Sequence, residues 1–144
     1  MRPHPYLRAY MAGIFVPTIF LLVILSVLVW FHFYLEVPTQ FAFGIPMRPL
    51  ERAIVFPMAV VPNLWGMWNV LRLALPPRVR LPLGVHGSLL PLLLMPAGVI
   101  LARTLDVFTI QWRLALPAAP IGMAVYYLAW KYIVGFLNDE IGIG

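Results

Sequence analysis

Cysteine and charged residues are what this sequence has least of. The 144 residues include no cysteine, which excludes disulfide scaffolds, thiolate metal sites and cysteine nucleophiles. Charged side chains make up only 10% of the chain, against about 25% in ordinary soluble domains. A soluble globule of this mass would expose about 7,500 Å² of surface, and so few charges would leave large apolar patches uncovered. The sequence therefore predicts an integral membrane protein.

The excess of basic residues does not indicate a nucleic-acid partner. Lys and Arg outnumber Asp and Glu by 10 to 5, which gives a net charge of +5. The basic residues occur singly or in pairs between apolar runs, as in short loops between membrane spans, and they form no stripe on one face. We therefore expect no nucleic-acid partner. Arginine makes up nine of the 10 basic residues, and this bias favours a GC-rich, bacterial genome.

Apolar residues, 62% of the chain, form four runs long enough to cross a bilayer, which takes about 20 residues in a helix. The predicted fold is all-α: a polytopic integral membrane protein with one membrane domain over residues 1–144. We expect a four-transmembrane-helix bundle with proline-kinked helices. The predicted spans cover approximately residues 10–35, 53–72, 83–102 and 114–137.

Several prolines lie in the interior of these spans, at Pro17, Pro57, Pro62 and Pro96. Each removes one backbone hydrogen bond, and in lipid the freed carbonyl must find another donor. A hinge that lines a cavity and a static kink packed against neighbours are both open, and the static kink is the more common of the two. Pro91 differs, because Ser88 just before it is expected to cap the start of the third helix.

The orientation is predicted from the Lys and Arg residues of the short loops. In a four-span chain, the N-terminus and the 72–80 loop share one side of the membrane. That side carries Arg2, Arg8, Arg72, Arg78 and Arg80. The opposite side carries Arg48, Arg52, Arg103 and Arg113. Five against four favours cytoplasmic termini, in a multi-pass protein of the inner, or cytoplasmic, membrane.

The second span contains the candidate polar site. Trp65, Asn69 and Arg72 follow i, i+4, i+7 spacing and form one helix stripe. Asn63 lies about 120° from Asn69 around the helix, so the two amides are expected to face different neighbours. Interhelical amide bonds in membranes contribute about 0.6–2 kcal/mol. Helix packing is therefore the favoured role of these residues, and a polar binding site is the alternative.

Small residues predict where helices approach closely. In the third span, Gly98 and Ala102 form a small-xxx-small pair. The fourth span has two such pairs, Ala115 with Ala119 and Ala118 with Gly122. This spacing lets helix backbones meet, either within the chain or between subunits.

The sequence offers little catalytic or ligand-binding chemistry. His32 and His86 are expected on opposite membrane faces, and His4 lies in a tail, so we predict no haem, metal or other cofactor. No carboxylate falls inside a span, which argues against ion-coupled transport. Lys131 is the one charge within a span and is expected to extend towards the membrane surface. Ser88 is expected to cap a helix and not to act as a nucleophile.

The leading hypothesis for function is a small structural or accessory subunit of a membrane assembly, or a homo-oligomer. Its expected partners are the lipid bilayer and either other membrane-protein subunits or further copies of itself. One alternative is a small transporter or channel that uses the second span, with Pro62, Asn63 and Asn69. A second alternative is a lipid-modifying enzyme that depends on His86 or Arg72.

Overall fold

Helices make up nearly all of the described structure. The structure, a computed structural model, describes residues 4–33, 41–42, 45–46, 60–104 and 112–143. A π-helical segment, Ala129–Val134, joins the last two helices. The helices are α1 (Pro5–Phe33), α2 (Val61–Ala74), α3 (Leu83–Ser88), α4 (Leu90–Thr104), α5 (Trp112–Leu128) and α6 (Gly135–Glu140). The helical class predicted from the sequence is confirmed.

The described part of the chain also contains one short strand pair that the apolar pattern did not predict. Strand β1 (Phe41–Ala42) pairs antiparallel with β2 (Ile45–Pro46), and Ala42 lies opposite Ile45. The pair falls between the first and second predicted spans. A two-residue ladder is far below the size at which a sheet forms a layer of its own, so the architecture is helical.

Among the residues that the structure describes, three helical stretches are long and apolar enough to cross a membrane: Pro5–Val27, Leu83–Ile100 and Pro117–Glu140. They overlap the first, third and fourth predicted spans. The predicted second span, 53–72, begins outside the described residues, which resume at residue 60. Its described helix, α2, has 14 residues and is about 21 Å long at 1.5 Å per residue. Three candidate spans suggest a membrane protein.

Helices α1 and α2 run antiparallel in close contact. The Asn69 side chain of α2 bonds the Ala9 carbonyl of α1. Four residues further along α1, Gly13 lies against Trp65 and Gly66, towards the start of α2. Residue numbers therefore rise along one helix as they fall along the other.

The α3–α4 stretch runs antiparallel to the column formed by α5, the π-helical segment and α6. Gly84 at the start of α3 lies beside Tyr127 and Lys131, whereas Gly122 lies beside Met95 of α4. The Trp68 ring of α2 stacks on the His86 ring of α3, which brings α2 against this pair of columns.

The two ends of the chain meet at one end of the bundle. The Arg8 guanidinium, in the first turn of α1, donates a hydrogen bond to the Ile141 carbonyl just after α6. The connection between α2 and α3 lies at the same end, since Asn69 joins both Ala9 and Asn138. We call this the terminal end, and define it as residues 4–8, 75–82 and 141–143.

The core lies where α2, α4 and the π-helical segment meet. It is built from Trp65, Leu90, Leu94, Trp130 and Val134. The two indole rings lie 5.4 Å apart between centroids, a distance at which aromatic rings attract through their faces and edges. Three columns are thereby fixed to one another by apolar packing.

Glycine permits the closest helix contacts. A Cβ atom added to Gly13 would lie 2.6 Å from the Trp65 carbonyl oxygen. One added to Gly87 would overlap the Cβ and Cγ atoms of Trp130. At these two positions a neighbouring helix occupies the space that any other side chain would need.

The break between α3 and α4 corrects the predicted helix start at Ser88. Ser88 does not cap α4: it is the last residue of α3, and its hydroxyl donates back to the Val85 carbonyl at 2.8 Å. Pro91 explains the break, since it has no N–H and its ring collides with a preceding helical carbonyl. Leu89 instead forms a tight turn by bonding the His86 carbonyl at 3.3 Å, and Pro91 becomes the second residue of α4.

The other prolines divide into two groups. Pro17, Pro96, Pro117 and Pro120 lie inside helices. Pro62, which the sequence placed in a span interior, is the second residue of α2, a position where a missing N–H costs little. Pro57 lies outside the described residues.

The Gly13 contact predicts a specific loss of stability. Gly13→Ala forces α1 away from the rigid α2 backbone, and we expect the free energy of unfolding to fall by about 1–3 kcal/mol. Unfolding by SDS titration from detergent micelles measures this change. Gly122→Ala is the matched control, because its added Cβ would meet only the Met95 Cε at 3.7 Å. An equal loss in both variants would contradict the contact.

Candidate functional site

An amide cluster joins three helices near the terminal end. Asn69 of α2 donates from Nδ2 to the Ala9 carbonyl of α1 at 2.8 Å and to Oδ1 of Asn138 in α6 at 2.9 Å. Asn138 returns a bond from Nδ2 to the Asn69 Oδ1 at 3.2 Å. Both asparagines are 2% exposed. Asn69, Asn138 and the Ala9 carbonyl form what we call the amide cluster.

Each hydrogen bond in this cluster has a complementary donor and acceptor. A primary amide offers two N–H donors and an acceptor oxygen, so two asparagines can bond each other reciprocally. The remaining Asn69 donor reaches Ala9, whose carbonyl oxygen has a second lone pair beyond the one used in its helix. The buried amides therefore find partners inside the protein, as buried polar groups generally do.

Trp68 and His86 form a second polar contact, between α2 and α3. The Trp68 Nε1–H donates to the His86 carbonyl at 2.8 Å, and the His86 Nε2 lies 2.9 Å from the Trp68 carbonyl. Because a carbonyl oxygen can only accept, Nε2 of this histidine carries a proton. The two rings also stack, with centroids 4.9 Å apart. His86 is 3% exposed, so it is held by this contact and not presented at the surface.

The π-helical segment affects which residues face inward in the column that it forms with α5 and α6. The Gly135 N–H bonds the Trp130 carbonyl, a five-residue spacing in place of the usual four. Trp130 is fully buried, with its ring 5.9 Å from the His86 ring. Its indole N–H has no acceptor among the described residues. The segment thus connects the aromatic core to the Trp68–His86 contact.

Lys131, next to the buried Trp130, points outward. Its Nζ atom lies 5.7 Å from the Tyr127 ring centroid and 5.1 Å from that of Tyr132. At these distances the negative face of an aromatic ring attracts an ammonium group. The single charge of the fourth predicted span is therefore surrounded by aromatic faces on the outside of the bundle.

The four predicted residues of the second span occupy different environments. Trp65 lies in the core and Asn69 in the amide cluster. Arg72 is half-buried, and its Nε donates to the Leu81 carbonyl at 3.4 Å. Asn63 is exposed and accepts a hydrogen bond from the Tyr10 hydroxyl. The structure therefore separates Asn63 from Asn69.

The predicted packing residues are divided in the same way. Gly98, Ala119 and Gly122 are half-buried, and Ala118 is exposed on α5. Ala102 and Ala115 belong to α4 and α5, and their side chains lie outside the described part of the structure.

Sequence reasoning missed several residues that hold the bundle together. Asn138 lies one residue beyond the predicted fourth span, so its amide was not considered as a partner for Asn69. His86 was considered only as a ligand or catalytic group. Gly84 and Gly87 on either side of it were a usable signal, since small residues one turn apart let a large aromatic side chain approach a helix.

Neither contact forms a metal centre. Within the described ranges, no group of three or more His, Asp or Glu side chains could hold a metal ion. In the amide cluster, the two side-chain amides bond each other and the Ala9 carbonyl. In the Trp68–His86 contact, each side chain bonds the backbone carbonyl of the other residue. Their chemistry is that of helix attachment.

Comparison with known proteins gives this chain no relative. No family model matches it, and no curated protein and no solved structure matches it.

The amide cluster predicts that Asn69 and Asn63 differ in their effect on stability. Asn69→Leu leaves the Asn138 amide buried without its partner, and we expect a loss of about 1–3 kcal/mol in unfolding free energy. Asn63→Leu is the matched control, with an expected loss below about 1 kcal/mol because its amide is exposed. SDS titration of both variants tests this, and equal losses would show that burial of the Asn69 amide has no special role.

Proposed function

We propose that this protein is an interaction subunit, a structural or accessory component that docks against another membrane helix through α5. The observation that supports this proposal is the loose packing at Gly122, where an added Cβ atom would make an ordinary van der Waals contact. Its nearest side-chain neighbour is the flexible end of Met95, at 3.7 Å from the position of an added Cβ. One turn earlier, Ala118 is exposed. We call Ala118 and Gly122 the α5 small-residue face.

Other glycines of the bundle are already used for contacts within the chain. Added Cβ atoms would lie 2.6 Å from the Trp65 carbonyl at Gly13, and 2.8 Å from the Tyr127 ring at Gly84. Glycines of this chain therefore lie where a neighbouring element comes close. The α5 small-residue face, with Ala118 exposed and Gly122 half-buried, fits a neighbour that is supplied by another subunit or by a second copy.

Contact with lipid explains the small residues on the outside of α5 less well than contact with a second helix. Membrane helices gain little from apolar burial, because lipid tails are as apolar as the side chains, and associate through close packing instead. Ile121 and Val125 on the same helix are 66% and 57% exposed. Larger side chains beside a small-residue step form a surface into which a second helix can interlock.

The two alternative functions receive less support from the contacts. Transport through Asn69 would require a permeant to displace bonds to both Ala9 and Asn138. A lipid-modifying reaction at His86 would require its Nε2 to leave the Trp68 carbonyl. A role in holding helices together requires neither Asn69 nor His86 to leave its partners.

We further propose the finer topology of four spans, with proline-kinked helices and cytoplasmic termini in the inner membrane. The column directions support it, since α1, α2, α3–α4 and α5–α6 alternate. This proposal keeps the predicted second span, 53–72, of which α2 is the described helix. At the terminal end, Arg8, Arg78 and Arg80 accompany Arg72, while Arg103 lies near the opposite end of the described bundle. This distribution agrees with the excess of positive charge on cytoplasmic loops.

Association through the α5 small-residue face is tested by enlarging it. Gly122→Ile should weaken association about fivefold or more, since overpacking a close contact costs about 1–3 kcal/mol. Ala124→Ile is the matched control, because Ala124 is exposed on another side of α5. Association is measured by energy transfer between labelled copies in vesicles and by recovery of partners after mild extraction.

The absence of cysteine allows a direct control for that experiment. A single Ala118→Cys change should give disulfide-linked dimers in native membranes if the partner is a second copy. With a different subunit as partner, no disulfide-linked dimer of this chain is expected, and the partner is instead recovered with the wild-type chain after mild extraction. A chain that stays monomeric, has no crosslinked species and is unaffected by Gly122→Ile would contradict the proposed function.

The topology is tested with single cysteines at the two ends of the bundle. Val79→Cys should be protected from a membrane-impermeant thiol reagent in intact cells, because residue 79 lies at the terminal end. Thr104→Cys should react under the same conditions. The opposite labelling pattern would reverse the proposed orientation, and labelling of both or neither would exclude an odd number of crossings between them.

A further inference from the structure

An apolar groove runs along the outside of the bundle between α1 and α6. It has a volume of about 360 Å³ and begins at the terminal end. The groove is lined by Arg8, Met11, Ala12, Phe15, Leu137 and Ile141. One basic side chain therefore stands at the end of an otherwise apolar channel.

The Arg8 guanidinium has N–H donors and a positive charge that the described residues do not fully pair. One of its nitrogens, Nη1, donates to the Ile141 carbonyl. Its Nε has no acceptor among the described residues, and none of the carboxylates described forms an ion pair with it. A guanidinium carries five N–H donors and a full positive charge, so the carbonyl alone does not satisfy it.

The surroundings of Arg8 add to this positive potential. The first turn of α1 contains no acidic residue, and the unpaired N–H groups at a helix start carry a partial positive charge. Asp139 and Glu140 at the end of α6 are exposed and do not line the groove. The charged side chain in the groove lining is therefore a cation, Arg8.

The position of the groove along the candidate span suits a lipid, which has a charged headgroup and apolar chains. Candidate spans begin at Pro5 and end at Glu140, so Arg8 lies about 5 Å along the helix from the span boundary. Met11 and Phe15 continue from there towards the hydrocarbon region. Charge is available at headgroup depth and an apolar channel extends below it.

We propose that this groove binds one acyl chain of an anionic phospholipid, with the lipid phosphate paired to Arg8. Arginine suits this ligand because its planar fork donates two parallel hydrogen bonds to phosphate oxygens. The groove lies between α1 and α6, so this lipid site is separate from the α5 small-residue face and does not depend on the proposed function.

Binding of defined lipids to the purified full-length chain tests this site. Phosphatidylglycerol and phosphatidylcholine with identical acyl chains are titrated into delipidated protein, and retention is followed by native mass spectrometry. Wild-type protein should retain phosphatidylglycerol at least about tenfold more tightly than phosphatidylcholine. Arg8→Gln should remove this preference, and Arg8→Lys should keep part of it because the charge remains.

Two controls separate a site from general charge attraction. Arg78→Gln makes the same charge change at an exposed position of the terminal end and should leave lipid preference unchanged. Ala12→Leu fills the groove and should weaken binding of both lipids, while its unfolding curve verifies that the chain is folded. Equal effects of Arg8→Gln and Arg78→Gln would overturn the proposal.

Competition with free phosphate distinguishes binding of a whole lipid from binding of its phosphate group alone. Millimolar inorganic phosphate should not displace phosphatidylglycerol, since phosphate makes no use of the groove. Full displacement, or an absence of lipid preference in the wild-type protein, would exclude an acyl-chain site at Arg8.

Discussion

The structure depends on one constraint: a polar side chain buried between helices must find its hydrogen bonds inside the protein. Asn69 meets it with the Ala9 carbonyl and with Asn138, at 2.8 and 2.9 Å. Because these partners belong to α1 and α6, satisfying one amide fixes three helices relative to each other. The close approach at Gly13 and the meeting of the chain ends at Arg8 follow from that arrangement.

The same constraint determines which surfaces remain for other molecules. Trp68 and His86 use their polar atoms on each other's backbone, and the core beneath them is aromatic and aliphatic. What remains outside is an apolar surface with two distinctive features, the α5 small-residue face and the groove below Arg8. These two features are the basis of the contacts that we propose with a neighbouring helix and with a lipid.

Elements that depend on local pattern could be predicted from the sequence, and those that depend on long-range pairing could not. Apolar run length was sufficient for the three candidate spans, and helical periodicity placed Trp65 and Asn69 on one stripe. The partner of Asn69 lies 69 residues away, just past a predicted span end, where no local signal marks it. Pro91 was visible, but its neighbour Ser88 was assigned to the wrong helix end, because capping and helix-ending serines look alike without the fold.

The most direct test of this account is the coupling energy between Asn69 and Asn138. Unfolding free energies of Asn69→Leu, Asn138→Leu and the double variant form a closed cycle that isolates their interaction. We predict a coupling of about 0.6–2 kcal/mol, the range of interhelical amide bonds in membranes, with the double variant less destabilised than the sum of the single ones. Strict additivity, with no coupling, would contradict the claim that this pair holds the helices together.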